Sequence, residues 1–379
     1  MKNIFYTLLI LSILSSCSSD NVGNNNPPGD GFDRGAMLDN IVSNIIIPSH
    51  EDLLLHLNEL DSSVSNFVNN TNSSTLQDVR EKWLSAYKIY QHVEVVSATE
   101  IGEQIFYGTK MNSFPTKNSL IDLYVNMGSW DLENNSQLFQ AQGFPALDYL
   151  LYGLESDSND IINNYTDGSN HLLFLQDVID VMITNTETVI NSWKSDKASY
   201  ISSDGSSQTS STDVLLNNFS YYYEKDFRTY KFGLPLGIWV DDVKRPEKLE
   251  AFYNGVSQKI LALEALTAIE KFFSGTSYDS QSQGESFKTY LQYLGEDNLV
   301  SNIEGNFTNA RNMINILGKS FINEVNLCSG VTKDDYEAGY AQCNMFDAWY
   351  SIQVNVAEFK IDMFNAFGVG LTYSSGDGD

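Results

Sequence analysis

The chain has 379 residues, 42% of them hydrophobic, and a formal net charge of −27 with a pI near 4.3. A chain this acidic repels phosphate backbones and anionic headgroups, which excludes nucleic acid as a partner. The same charge reads either as solubility or as attraction of cations, and composition alone does not separate the two.

The first residues carry an address. Lys2 precedes the apolar run Ile4–Leu14, which is too short to span a bilayer as a mature helix. Leu14-Ser15-Ser16-Cys17 spells a lipobox, so residues 1–16 read as a lipoprotein signal peptide and Cys17 as the lipidated first residue of the mature chain. Residues 17–34 are rich in Asn, Gly and Pro and read as a tether with too little apolar surface to fold. The expected location is the cell envelope, anchored to a membrane through Cys17. Ser18 is not the Asp that favours inner-membrane retention, so the outer membrane is expected, facing the periplasm or the cell surface.

Beyond the tether the pattern is helical. Met37–Val68 places Leu38, Ile41 and Ile45, then Leu53, Leu57 and Leu60, at helical spacing, with Pro48 as a break or kink. Ser74-Thr75-Leu76-Gln77 spells a capping box for a long helix through Trp83, Tyr87 and Tyr90. Helices are predicted next over Asn118–Met127, Pro145–Leu154 and His171–Trp193. A Ser-rich linker or loop at 199–212 then divides a first bundle, 35–198, from a second, 213–370. The second half predicts helices over Val214–Tyr230, Pro246–Phe273, Gln281–Leu294, Leu299–Val325 and Lys333–Phe367, before an acidic tail at 371–379. No stretch alternates like a strand, so the expected fold is all-α, with two four-helix-bundle-like halves.

Candidate chemistry is sparse. His50, His56, His92 and His171 are scattered and each reads as structural or solvated. There is no Gly-x-Ser-x-Gly elbow, no Cys-x-x-Cys and no Gly-rich phosphate loop, which disfavours a serine or cysteine nucleophile, zinc and nucleotides. Cys328 and Cys343 flank a turn-like stretch, and a disulfide and two free buried thiols are both open readings. Gly143-Phe144-Pro145-Ala146-Leu147-Asp148-Tyr149-Leu150-Leu151-Tyr152-Gly153 reads as one short helix. Pro145 suits its first turn, Leu147, Leu150 and Leu151 share a face, and Gly153 offers a left-handed cap. Asp148 is its one charge, read either as a helix-start charge or as a cleft carboxylate.

Trp83–Glu94, Gly143–Gly153, Arg228–Gly237, Pro246–Tyr253 and Phe359–Val369 together resemble the imelysin-like family, once grouped as peptidase M75. The resemblance implies two four-helix bundles facing each other across a cleft, with a Gly-x-His-x-x-Glu segment on that cleft. Here Pro145 stands in place of the motif His and Asp148 in place of the motif Glu. Proline has no ligand atom and no titratable group, so this pair can neither hold a metal nor share a proton. The implied function is a lipid-anchored envelope protein that binds a metal ion, a metal chelate or another small ligand in the cleft. Iron or another divalent or trivalent cation is the expected cofactor, and an envelope protein of an iron-uptake system the expected partner. Glu94, Asp148, Tyr152 and Asp362 are the cleft candidates, and no residue is assigned to catalysis. Two alternatives stand beside this reading: a metallopeptidase, disfavoured by Pro145, and a non-catalytic interaction lipoprotein.

Overall fold

The computed structural model describes residues 31–96, 100–157, 160–166, 168–205 and 207–373. The signal peptide, Cys17, most of the tether and the end of the acidic tail lie outside the described residues. Among the described residues there is no strand, only an isolated antiparallel bridge between Thr276 and Gln283.

The first half is built on three long helices. Ile47–Asn69 packs against both Ser73–Glu94 and Asn170–Ser202, and the short helices Tyr107–Asn112 and Gly143–Asp148 fill the remaining side. The stripe that drives this packing is Leu53, Leu57, Leu60, Val64 and Phe67 on one helix and Leu76, Val79, Trp83, Tyr87 and Tyr90 on the next, all buried. The second half gathers Gln258–Ser274, Asp297–Ile316, Asn344–Ala357 and a π-helix, Tyr222–Gly233. The halves meet where Gln258–Ser274 lies along Ser73–Glu94. The first helix, Arg34–Ile41, also ties them together. It packs on Asn170–Ser202, while Arg34 donates to the Tyr290 hydroxyl (3.0 Å) and Asn40 to the carbonyl of Gly275 (3.0 Å).

Several predicted boundaries move, each for a physical reason. Pro48 does not break its helix. A π turn, Val42–Ile46, precedes it, and the Asn44 carbonyl that Pro48 cannot reach accepts instead from the Tyr278 amide at 2.8 Å. The capping box sits two residues earlier than its spelling, with Asn72 as the cap and Thr75 as its return partner. The helix predicted over Pro246–Phe273 begins only at Gln258, because 249–257 turns, with Ala251 (φ 50°) and Gly255 (φ 70°) in the left-handed region. Helix covers both ends of the Ser-rich stretch. One helix runs to Ser202, the next starts at Ser211, and the Ser211 amide closes the turn onto the Ser203 carbonyl (2.8 Å). The last predicted helix divides into Lys333–Glu337 and Asn344–Ala357. Between Cys328 and Cys343 the chain closes on itself through a disulfide, with Cα atoms 5.6 Å apart.

Candidate functional site

Four separate segments send polar side chains into the seam between the halves. Ser73–Glu94 ends with Gln91 and Glu94, and Tyr107–Asn112 ends with Asn112. The π-helix supplies Asp226 and Lys231, five apart, and its i→i+5 bonds widen the turn that an α-helix would make. The turn after Pro246 supplies Glu250.

Lys231 is the hub. Its ammonium donates to Glu250 Oε2 and Gln91 Oε1, both at 2.8 Å, and lies 3.6 Å from Glu94 Oε2. Glu250 Oε1 accepts from Gln91 Nε2 (3.1 Å) and Asn112 Nδ2 (3.0 Å), so both its oxygens are in use. Asn112 Nδ2 also donates to Glu94 Oε1 (2.6 Å), and Tyr87 donates to Asn112 Oδ1. Glu94 Oε2 is different. It is buried, on a side chain only 10% exposed, and has no hydrogen-bond partner. The Tyr90 hydroxyl, within the field of Glu94, is buried and unpartnered too.

These surroundings set the charges. Burial pushes the Glu94 carboxyl up, Lys231 pulls it down and Glu250 adds to the rise. Burial and then Glu94 push half-buried Asp226 up to about 8, with Lys231 opposing. Burial pulls Lys231 down, but Glu250 and Glu94 hold it above its ordinary value. A cavity of about 570 Å³ opens on this cluster, with Tyr90, Glu94, Asn112 and Asp226 among its lining residues and the exposed rings of Tyr221 and Tyr230 on its walls.

A smaller cavity of about 220 Å³ shares Phe114 and Pro115 with the first and is lined by Pro145 and Asp148. Asp148 is not a helix-start charge. It ends the helix Gly143–Asp148 and reaches into the second half, where Oδ2 accepts from the Tyr253 amide and Oδ1 from the Asn254 amide, both at 2.8 Å. Burial pushes its carboxyl up to about 7 against those two hydrogen bonds, and Glu250 adds to the rise.

The glycines at the ends of this segment act through space. Gly143 has φ +77°, and a Cβ there would lie 2.2 Å from the Lys110 carbonyl oxygen. Gly153 is not a left-handed cap, since Tyr149–Gly153 is a π turn that ends at Leu154. A Cβ on Gly153 would meet the Tyr253 ring at 2.4 Å. The carbonyls of Leu150 and Leu151 are taken by the Tyr165 hydroxyl (2.7 Å) and the Arg80 guanidinium (3.0 Å).

Of the four cleft candidates, Glu94 and Asp148 come to the seam, in adjacent cavities. Tyr152 lines neither. It is half-buried, with its ring 5.5 Å from Trp83 and under the Arg80 guanidinium at 4.5 Å. Asp362 is exposed on the π turn Glu358–Met363 and belongs to a separate groove with Glu296 and Glu358; its neighbour Lys360 is the side chain that turns inward, to Glu224 (3.1 Å). The π turn rotates that face away from the helical register. The histidines stay apart: His50, for instance, is buried with Nδ1 on the Ile46 carbonyl, and burial lowers it to about 4. Among the described residues no three His, Cys, Asp or Glu side chains converge to hold a metal ion.

The family model for imelysin, peptidase M75, matches residues 46–341. The chain belongs to the imelysin family. Among solved structures, an imelysin-like protein from Psychrobacter arcticum is 13% identical with a TM-score of 0.70, over 90% of this chain and 97% of that one. A protein from Parabacteroides distasonis, described as an iron-regulated protein A precursor, is 15% identical with a TM-score of 0.61, over 88% of this chain and 98% of that one. At these identities the likeness is one of fold. No curated protein matches the chain.

Proposed function

We propose that this imelysin-family chain is a lipid-anchored envelope protein that binds a small ligand in the 570 Å³ cavity at its seam, in the setting of iron acquisition. The observation that carries the reading is the unsatisfied Glu94 Oε2, with the Tyr90 hydroxyl beside it on the same cavity. A buried acceptor without a partner costs free energy unless something else satisfies it. Anchoring rests on the lipobox at Cys17, and the iron setting on the family and on the iron-regulated description of one fold relative. An envelope protein of an iron-uptake system is the expected partner.

The donor set suits a bare metal ion poorly. Glu94 offers one free oxygen, and the Lys231 ammonium 3.6 Å away opposes a dication. A metal chelate or an organic ligand brings its own shell and fits better. Peptidase chemistry is not favoured either, because Pro145 moves no proton and both Asp148 oxygens are committed to backbone amides.

The test is calorimetry and thermal shift on the full-length lipidated protein in detergent. The titrants are ferrous, ferric, zinc and calcium salts, ferric chelates and a panel of small organic ions. A ligand at a hundredfold excess over its Kd adds about 2.7 kcal/mol of stability, and Glu94→Gln should remove that gain. Flat titrations, with a pull-down that recovers one envelope protein, would move the assignment to an interaction lipoprotein.

A further inference from the structure

Resting on that cavity reading, we propose that its ligand is a small primary amine, with the ammonium seated on Glu94 Oε2 and the Tyr90 hydroxyl, and its carbon chain between Tyr221 and Tyr230.

The unsatisfied atoms set the chemistry. Two oxygens of cavity-lining residues lack hydrogen-bond partners: Glu94 Oε2 and the Tyr90 hydroxyl. An alkylammonium carries three N–H donors and no acceptor, so it can donate to both and matches the carboxylate in sign. An anion would face Glu94 and Asp226, and a metal dication would face Lys231. Tyr221 and Tyr230 leave their rings exposed on the cavity wall, where a cation or its alkyl stem gains from a ring face.

The fold already solves this problem once, a few ångströms away. The Lys231 ammonium is held by the carboxylate of Glu250 and the amide oxygen of Gln91, with the Phe114 ring 5.7 Å distant. On the cavity side Glu94 Oε2, the Tyr90 hydroxyl and the Tyr221 and Tyr230 rings offer the same kinds of group, with the Lys231 ammonium 3.6 Å from Oε2 and outside hydrogen-bond distance. Glu94, Glu250 and Asp226 all lie in the field of Lys231, the buried lysine of the cluster, so three carboxylates there face one buried cation.

That excess ties binding to protons. Asp226 faces Glu94 from Ser73–Glu94, Tyr90 from the same helix, and Lys231, Tyr221, Tyr222 and Tyr230 from around its own π-helix; Lys117 and Lys248 also line the cavity. Its carboxyl holds a proton up to about 8. An arriving ammonium replaces that proton, so amine binding releases it to the buffer. Affinity therefore rises with pH through about 8 and falls again as the amine itself deprotonates, near pH ~10.4.

The experiment is calorimetry on the full-length protein in detergent, in buffers of different ionisation heat. The probes are n-butylamine, 1,4-diaminobutane, n-butanol, tetramethylammonium, butyrate and zinc chloride. A ferric hydroxamate chelate with and without a pendant primary amine separates a free amine from an amine carried on a chelate. Primary amines should bind with proton release, whereas butanol, which lacks the charge, and tetramethylammonium, which lacks N–H donors, should not. Glu94→Gln should weaken amine binding about tenfold or more. Tyr90→Phe removes a hydroxyl that has no hydrogen-bond partner in the protein, so it should weaken binding severalfold with the melting temperature unchanged. Butanol binding as well as butylamine, or unchanged amine affinity in both variants, would overturn the proposal. A ligand of another class whose binding Glu94→Gln abolishes would overturn the amine and leave the cavity reading standing. Flat titrations with every probe would count against both.

Discussion

Asp148 and Glu94 are two largely buried carboxylates at one seam, in cavities that share Phe114 and Pro115, and their surroundings treat them differently. Asp148 spends both oxygens on backbone amides of the opposite half. Glu94 spends one on Asn112 and keeps the other without a hydrogen bond. Satisfied acceptors make a strut, while an unsatisfied one beside open volume is what the proposed ligand would meet. In this chain Asp148 is the strut, and the neighbouring cavity holds the unsatisfied groups.

The comparison breaks most sharply at Lys231, which neutralises the side where Glu94 sits. Lys231→Met leaves Glu250 and Glu94 without their shared cation. Removing one member of a buried ion pair costs about 3–5 kcal/mol. Urea unfolding should show a loss of that size, and a change under 1 kcal/mol would mean that the cluster is solvated and that Glu94 is not specially placed.

Asp148 should cost somewhat less. Asp148→Ala strands the amides of Tyr253 and Asn254, about 2–4 kcal/mol in all, without changing ligand affinity in the larger cavity once the protein is folded. Its titration sharpens the point. The unfolded carboxyl ionises near ~4 and the folded one at about 7. The folded state therefore binds the proton more tightly. That contribution is complete below the unfolded value, declines as pH rises and is gone above about 7. Asp148→Asn should flatten this part of the stability–pH curve, and an unaltered slope would show that Asp148 is ionised throughout.

The strut and the pocket were unequally legible in the sequence. Periodic leucines and aromatics gave the helices, because an amphipathic stripe is a local signal. Gly143 and Gly153 marked the motif segment, although Gly153 turned out to be required by the Tyr253 ring and not by its φ angle. Glu94 and Asp148 could be singled out, but their partners could not. Lys231, Glu250 and Asn112 come from segments far apart in the chain, and only the packed halves bring them together. Asp226 and Lys231 were hidden further by the π-helix, since a 3.6-residue period does not place residues five apart on one side. Asp362 misled for the same reason, lying on a π turn where helical register fails.

The smallest expected effect is the most direct trial of Asp148 as a strut. Pro145→His places an imidazole near Asp148, in the 220 Å³ cavity that Pro145 lines. If Asp148 is a strut, the new His gains no partner for metal or proton transfer, because both Asp148 oxygens are already engaged. Stability should change by no more than about 1 kcal/mol from losing the proline's conformational restriction. Peptide cleavage should stay at background, and zinc should bind no more tightly than to the unaltered chain. Chelator-sensitive cleavage of a peptide library by Pro145→His would show that Asp148 can leave its amides when a partner is supplied. The difference between the two carboxylates would then be one of occupancy and not of architecture.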